Sequence, residues 1–301
     1  MTAKTTKTDC VRVPLQARKP PEVKVPRTQT GTLQLIQLYV ISGHTYWVGG
    51  FVPTDRWEGF LLKMAARYRL DRSERMRVYD RQHGKASVHL VAVLDKSGRK
   101  VQWMLVSTEG AGGLLDKAVS PTEQPGNALR AEGRLVWGDY EIVYANKKWT
   151  ETQMVKGNAR KVVKQDSTWT WRITPEAARG VGAAIKEACA SMDPLAVRNV
   201  LKYQVMRPMF AGVRRQVVEF GQHACSEWLP LHKRWLKAQS EHFQQGYKDV
   251  EKLLKPPKRE ALPFMTRMKV YDDVPVYVAD LALPATAPTV QPVSPASTAA
   301  A

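Results

Sequence analysis

Cysteine is scarce in this sequence: Cys10, Cys189 and Cys225 are the whole complement of a 301-residue chain. Three thiols so far apart make neither a disulfide framework nor a cysteine-based zinc site, so an apolar core in a reducing compartment has to hold the fold. Long apolar runs are missing too. No stretch of about 18 apolar residues occurs, and the basic N-terminus (Lys4, Lys7, Arg12, Arg18, Lys19) leads into no apolar signal segment. A cytoplasmic protein without a membrane role is the expectation. Acidic residues are in short supply, with 28 Asp and Glu against 46 Lys and Arg, which leaves a net charge of +18. Such a surplus repels itself unless a polyanion or salt offsets it; nucleic acid is the commonest such partner and anionic membrane the second. No Gly-x-Ser-x-Gly elbow and no His-x-His pair of the kind metal-dependent nicking enzymes need is present.

What the chain does have is a core. Hydrophobic residues make up 44% of it, nine of them Trp, which excludes wholesale disorder. The organising stretch is Lys85–Ser107, two β-branched apolar runs around a polar turn containing Gly98, the pattern of an antiparallel hairpin. In its first run Val88, Leu90, Ala92 and Leu94 have one parity and Val91 and Val93 the other, so the hairpin is expected at the centre of a sheet covered on both faces. Leu33 to Ile41 alternates in the same two-sided way and reads as a strand. Tyr46-Trp47-Val48 reads as another, ended by Gly49-Gly50. Thr54 reads as the N-cap of a helix that buries Trp57, Phe60, Leu61, Met64, Ala65 and Tyr68. Gly138-Asp139 suits the turn of a second hairpin, with a single bulged strand as the competing description, Asn146 to Asp166 is a polar loop, and Trp169, Trp171 and Ile173 point inward from a strand whose Thr168, Thr170 and Arg172 point out. Thr174-Pro175 and Asp193-Pro194 then start helices, and a longer helix through Val213, Val217, Phe220, Ala224 and Trp228 should kink or restart at Pro230.

The fold class is α+β: a mixed, largely antiparallel sheet followed by a helical C-terminal half. By this reading residues 1–30 are a disordered basic arm, 31–174 the sheet domain, 175–256 a helical region, 257–283 a strand-like extension and 284–301 a disordered tail.

The basic residues are gathered in segments. Arg67, Arg69, Arg72, Arg75 and Arg77 precede the central hairpin, and Lys147, Lys148, Arg160, Lys161 and Lys164 lie in the polar stretch with Trp149. The planar guanidinium fork suits phosphate, and an exposed Trp can stack on an unpaired base, so these residues are the candidate contacts. Arg214 and Arg215, in the first turn of a helix after Gly212, add a third basic site of the helix-turn-helix type. Asp139 and Glu141 are the candidates for a metal-dependent nuclease or phosphotransfer enzyme, since paired carboxylates can hold a divalent ion against a phosphodiester. Gly110 to Gly113 lacks the Lys and Ser/Thr that close a phosphate loop and reads as a turn. His223, Cys225 and His232 lack zinc-ligand spacing, so no metal and no cofactor is expected.

Thr168-Trp169-Thr170-Trp171-Arg172-Ile173-Thr174 and the run from Arg207 to Val217 resemble uncharacterised proteins carried on proteobacterial plasmids and integrating mobile elements, over about residues 75–236. That resemblance implies a part in DNA transfer, maintenance or interference between elements, with other proteins of the same element as further partners. The reading is therefore a non-enzymatic nucleic-acid-binding protein, with DNA ahead of RNA. Two others stand beside it: the metal-dependent nuclease, and a protein-binding inhibitor or adaptor that presents Trp228 and Trp235.

Overall fold

The computed structural model describes residues 23, 25, 26, 28–95, 97–155 and 158–237, and their side chains except at 146–166 and 233–237. Its first element is a helix, α1 (Gln29–Ile41), in place of the expected strand. Thr28 makes the difference. Its hydroxyl accepts from the Gly31 N–H, and the Thr32 hydroxyl donates back to the Thr28 carbonyl, both at 3.0 Å. The cap satisfies a helix donor that would otherwise be orphaned. A run apolar on both parities suits a strand covered on two faces, but equally a helix enclosed on two sides. In α1, Leu33, Leu35, Ile36 and Val40 are all buried. The described residues reach into the segment before residue 31: Val25 is buried and packs with Val52 and Trp57.

The first sheet contains β1 (Tyr46–Pro53), β2 (Val88–Leu94), β3 (Lys100–Ser107) and β4 (Gly126–Asn127), antiparallel in the order β2-β3-β1-β4. The predicted hairpin is β2–β3; β3 is internal, but β2 is an edge strand. Both faces are covered all the same. Val101 and Leu105 of β3 pack beneath α2 (Trp57–Tyr68), whereas Met104 and Val106 join the cluster that holds Leu33 and Ile36 of α1. Gly49 and Gly50 do not end β1 but lie inside it. A Cβ at Gly49 would stand 3.0 Å from the Trp103 carbonyl oxygen, and one at Gly50 3.3 Å from the Trp103 ring, so close approach is what these glycines allow. Thr54 does not cap α2 either. Its hydroxyl donates to the Gly98 carbonyl at 2.9 Å, and a 3₁₀ turn, Thr54–Arg56, leads into the helix.

After α3 (Glu74–Gln82) and the first sheet comes a second, β5 (Val136–Trp137), β6 (Tyr140–Val155) and β7 (Asn158–Ile173) in that order. The stretch 146–166, expected as a loop, is the outer part of this ribbon: pairing runs unbroken from Tyr140↔Ile173 to Val155↔Asn158. At its base Trp171 and Ile173 are fully buried, and Trp171 Nε1 donates to the Leu33 carbonyl at 2.8 Å. Thr170, predicted to face out, is buried as well, because its hydroxyl accepts from the Gly212 N–H at 3.2 Å.

The three helices α4 (Pro175–Ala190), α5 (Pro194–Val205) and α6 (Ala211–Lys237) follow as expected. The Thr174 hydroxyl accepts from the Ala177 N–H and the Asp193 carboxylate from the Leu195 N–H, each ahead of a helix-starting proline. α6 runs through Pro230 without a restart. Val181, Ile185, Val213, Val217 and Trp228 share one core cluster with α1 and both sheets, so the helical half is packed onto the sheets. The helix over Phe243 to Leu254, the strand-like Val274–Val278, the tail and most of the N-terminal arm lie outside the described residues. Among the described residues no helix is long and apolar enough to cross a membrane.

Trp171 ties α1 to β7 by both packing and a hydrogen bond. Trp171→Ala is expected to cost about 3–5 kcal/mol in denaturant unfolding, the range for emptying a buried aromatic site; a loss within about 0.5 kcal/mol, typical of a surface change, would refute this packing.

Candidate nucleic-acid interface

The arginines of the 67–81 segment have different employments. Arg77 is buried on α3, with its guanidinium donating to the carbonyls of Leu70 (2.8 Å), Arg72 (3.0 Å) and Val88. It fastens α3 to the edge strand β2 and is not available to phosphate, which corrects its assignment as a contact. Arg67 is half-buried and donates to Glu123 at 2.9 Å; Tyr68 donates to the other oxygen of the same carboxylate at 2.7 Å. Together they latch the loop around Glu123 onto α2. Arg72 stands 3.7 Å from the buried Asp80. Arg69, in the left-handed conformation that ends α2, and Arg75 are exposed.

Arg214 is buried, and the first turn of α6 packs on β7: a Cβ at Gly212 would stand 2.5 Å from the Trp171 carbonyl oxygen. That end of α6 therefore cannot enter a groove as a recognition helix does, and Arg214 is corrected as a phosphate contact. Arg215 lies outside, 2.9 Å from Glu219 in an exposed pair. Trp228, offered as a partner-facing residue, is buried and stacked on His232 with ring centroids 3.3 Å apart; the side chain of Trp235 lies outside the description. Cys189 is buried too, and burial pushes its thiol up to about 11.

The two carboxylates proposed as metal ligands are held by guanidinium groups. Glu141 is buried, 2.6 Å from Arg172 Nε and 3.5 Å from Arg134 Nη1. Asp139 accepts from Arg207 at 3.2 Å, and Arg207 also donates to the Tyr140 hydroxyl at 3.2 Å. A divalent cation at Glu141 would meet two positive charges already in place. Among the described residues no group of three or more His, Cys, Asp or Glu is arranged to hold a metal.

The remaining basic candidates fall on the ribbon, where the backbone register assigns positions. Trp149 pairs with Lys164, Lys147 with Asp166, Lys148 with Gln165, Thr152 with Lys161 and Gln153 with Arg160. Directly opposed residues of an antiparallel pair share a face. Lys147, Trp149, Arg160 and Lys164 therefore share one register parity, with Lys148 and Lys161 on the other, and no basic residue is opposed by another.

A second concentration of polar groups has only partial warning in the sequence. Tyr39, from the last turn of α1, stacks on His89 of β2 with ring centroids 4.2 Å apart, and His44 meets the same ring edge-on at 4.8 Å. His44 is buried, its Nδ1 3.0 Å from the Tyr39 carbonyl and its Nε2 3.2 Å from the Ser87 hydroxyl. Glu74, Arg77 and Arg81 border the same space. Their spacing of three and four residues on α3 is the only sequence signal; His44 and His89, 45 positions apart, carry none. Burial first, and then Arg81 and Arg77, lower the His44 pKa to about 4 against the opposing effect of the Tyr39 carbonyl. Burial, followed by Arg77, His44 and Arg81, lowers that of His89 to about 3.

Comparison of the chain with family models, curated proteins and solved structures returned no match.

Both imidazoles stay neutral in the fold while the unfolded chain protonates them near the ordinary value of 6.5. Their contribution is thus complete above pH 6.5 and is lost as the pH falls from there, toward about 4 for His44 and about 3 for His89. The loss for His44 alone is on the order of 3 kcal/mol. Melting temperature is expected to fall over this window, and His89→Phe, which keeps the stack but cannot protonate, should flatten the profile. Identical profiles for the two proteins would rule out the assignment.

Proposed function

We propose that this protein binds nucleic acid, DNA ahead of RNA, mainly through phosphate contacts made by the basic outer part of the β6–β7 ribbon. One observation carries the reading. The longest paired element in a chain of net charge +18 bears Lys147, Lys148, Arg160, Lys161 and Lys164 along its outer registers, with Glu151 and Asp166 the acids of that stretch. A two-stranded ribbon is one of the two elements the DNA major groove admits, and lysine and arginine on it neutralise phosphates with release of counterions. Trp149, directly opposite Lys164 in the backbone register, is the candidate for stacking on a base. Arg69, Arg75 and Arg215 supply further contacts; the Arg215–Glu219 pair is exposed at both ends, so a phosphate displaces Glu219 at little cost.

The activity is one of binding. The carboxylates considered for metal-dependent cleavage are already neutralised by Arg134, Arg172 and Arg207. The resemblance to mobile-element proteins supports a role in the transfer, maintenance or interference of such an element, within the cytoplasm and beside other proteins of that element.

Fluorescence anisotropy with labelled DNA over a salt series tests the reading. The slope of log affinity against log salt should be about −0.9 per phosphate contacted on duplex and about −0.7 on single strands. Replacing Arg160, Lys161 and Lys164 together by Ala should lower its magnitude by roughly 2–3 and weaken all sequences alike. Trp149→Ala should cost about 1–3 kcal/mol on single strands if a base stacks there. Absence of any binding to DNA or RNA at low salt would end the proposal.

A further inference from the structure

The groups around Tyr39 and His89 border a cleft of about 630 Å³ between α1 and α3, beside the edge strand β2. That is the size of a small-molecule site. Its two sides differ in chemistry. One is apolar, built from Leu35, Leu38, Leu70 and Leu90, with the Tyr39–His89 stack beside them. The other is cationic, with Arg72, Arg77 and Arg81 against Glu74, and with Asp80 behind Arg72.

The donors on the cationic side are not equivalent. Arg77 is spent on backbone carbonyls and acts as a fixed charge, and Arg72 is shared with Asp80. Arg81 is half-buried; its backbone carbonyl accepts from the Gly84 N–H, but its guanidinium makes no hydrogen bond or ion pair among the described residues. His89 is in the same position: its ring is stacked and edge-packed, and neither nitrogen has a hydrogen-bond partner among the described residues. A half-buried guanidinium with no anion paired to it among the described residues, next to an imidazole with a spare donor and an aromatic and leucine wall, is the complement of a ligand with a phosphate at one end and a flat ring at the other.

We propose that this cleft binds a mononucleotide, free or as the terminal unit of a strand. The phosphate lies on Arg81, with Arg72 and the His89 N–H as further donors, and the base lies along the leucine wall and the Tyr39 ring. This site is separate from the ribbon and shares no residue with it.

Isothermal titration of the full chain with adenosine monophosphate, inorganic phosphate and adenosine tests the assignment. Saturable binding of the nucleotide is expected, with each fragment at least about tenfold weaker, because each engages one side of the cleft. Arg81→Ala, which removes a side chain with no hydrogen-bond or ion-pair partner among the described residues, should melt as the parent does at neutral pH and bind the nucleotide about tenfold or more weakly. His89→Phe should weaken it too while keeping the stack. The ribbon variant lacking Arg160, Lys161 and Lys164 should bind the nucleotide as the parent does, which keeps failure here distinct from failure of the ribbon reading. Competition by a 5′-phosphorylated oligonucleotide but not its 5′-hydroxyl form assigns the strand end; competition by neither assigns the free nucleotide. No saturable binding, phosphate alone binding as tightly as the nucleotide, or unchanged affinity in Arg81→Ala would each overturn the proposal.

Discussion

Helix α1 is enclosed between two sheets, and its position depends on being held from both. On one side two hydrogen bonds join it to β7: Trp171 Nε1 donates to the Leu33 carbonyl at 2.8 Å, and Gln37 Nε2 donates to the Trp169 carbonyl at 2.9 Å. On the other, Leu33, Ile36 and Val40 share a cluster with Val91, Met104 and Val106 of the first sheet. The helix thus sets the spacing between the sheets, at the approach that large aliphatic side chains allow. Its last turn delivers Tyr39 to His89, and the turn beyond it buries His44 beside Ser87, so the cleft follows from where α1 ends. The same clamp anchors the base of the ribbon whose outer part carries the basic residues.

Much of the positive charge in this molecule is used internally. Arg77 caps three backbone carbonyls, Arg67 latches a loop through Glu123, and Arg134, Arg172 and Arg207 neutralise the two carboxylates at the β5–β6 turn. These are internal fasteners. The planar fork that makes arginine suited to phosphate suits a row of carbonyl oxygens equally well, so arginine density does not by itself measure charge offered to a partner. The ribbon segment differs in being a lysine-rich strand pair with few acids of its own.

Much of the local architecture was readable from residue order. Two apolar runs around Gly98 announced β2–β3, Gly138-Asp139 the β5–β6 turn, and Thr174-Pro175 and Asp193-Pro194 the starts of α4 and α5. In each case the signal and the structure it specifies lie within a few residues. Three features were not readable for a common reason. The apolar run from Leu33 to Ile41 is as good a strand as a helix until two sheets are known to flank it. Polar residues 146–166 resemble a loop until each strand is seen to have the other as its partner. Arg77 looks like its exposed neighbours until Leu70, Arg72 and Val88 converge on it.

By itself, then, the order of amino acids determined the α+β class, the helical second half, the turns and helix caps, and the surplus of cations, because each rests on composition or on contacts close along the chain. Tertiary structure alone decided which cations are spent inside, which lie along the ribbon, and that two histidines and a tyrosine meet three arginines beside an edge strand. Those outcomes depend on groups tens of residues apart arriving within hydrogen-bonding or stacking distance, and no local pattern encodes that arrival.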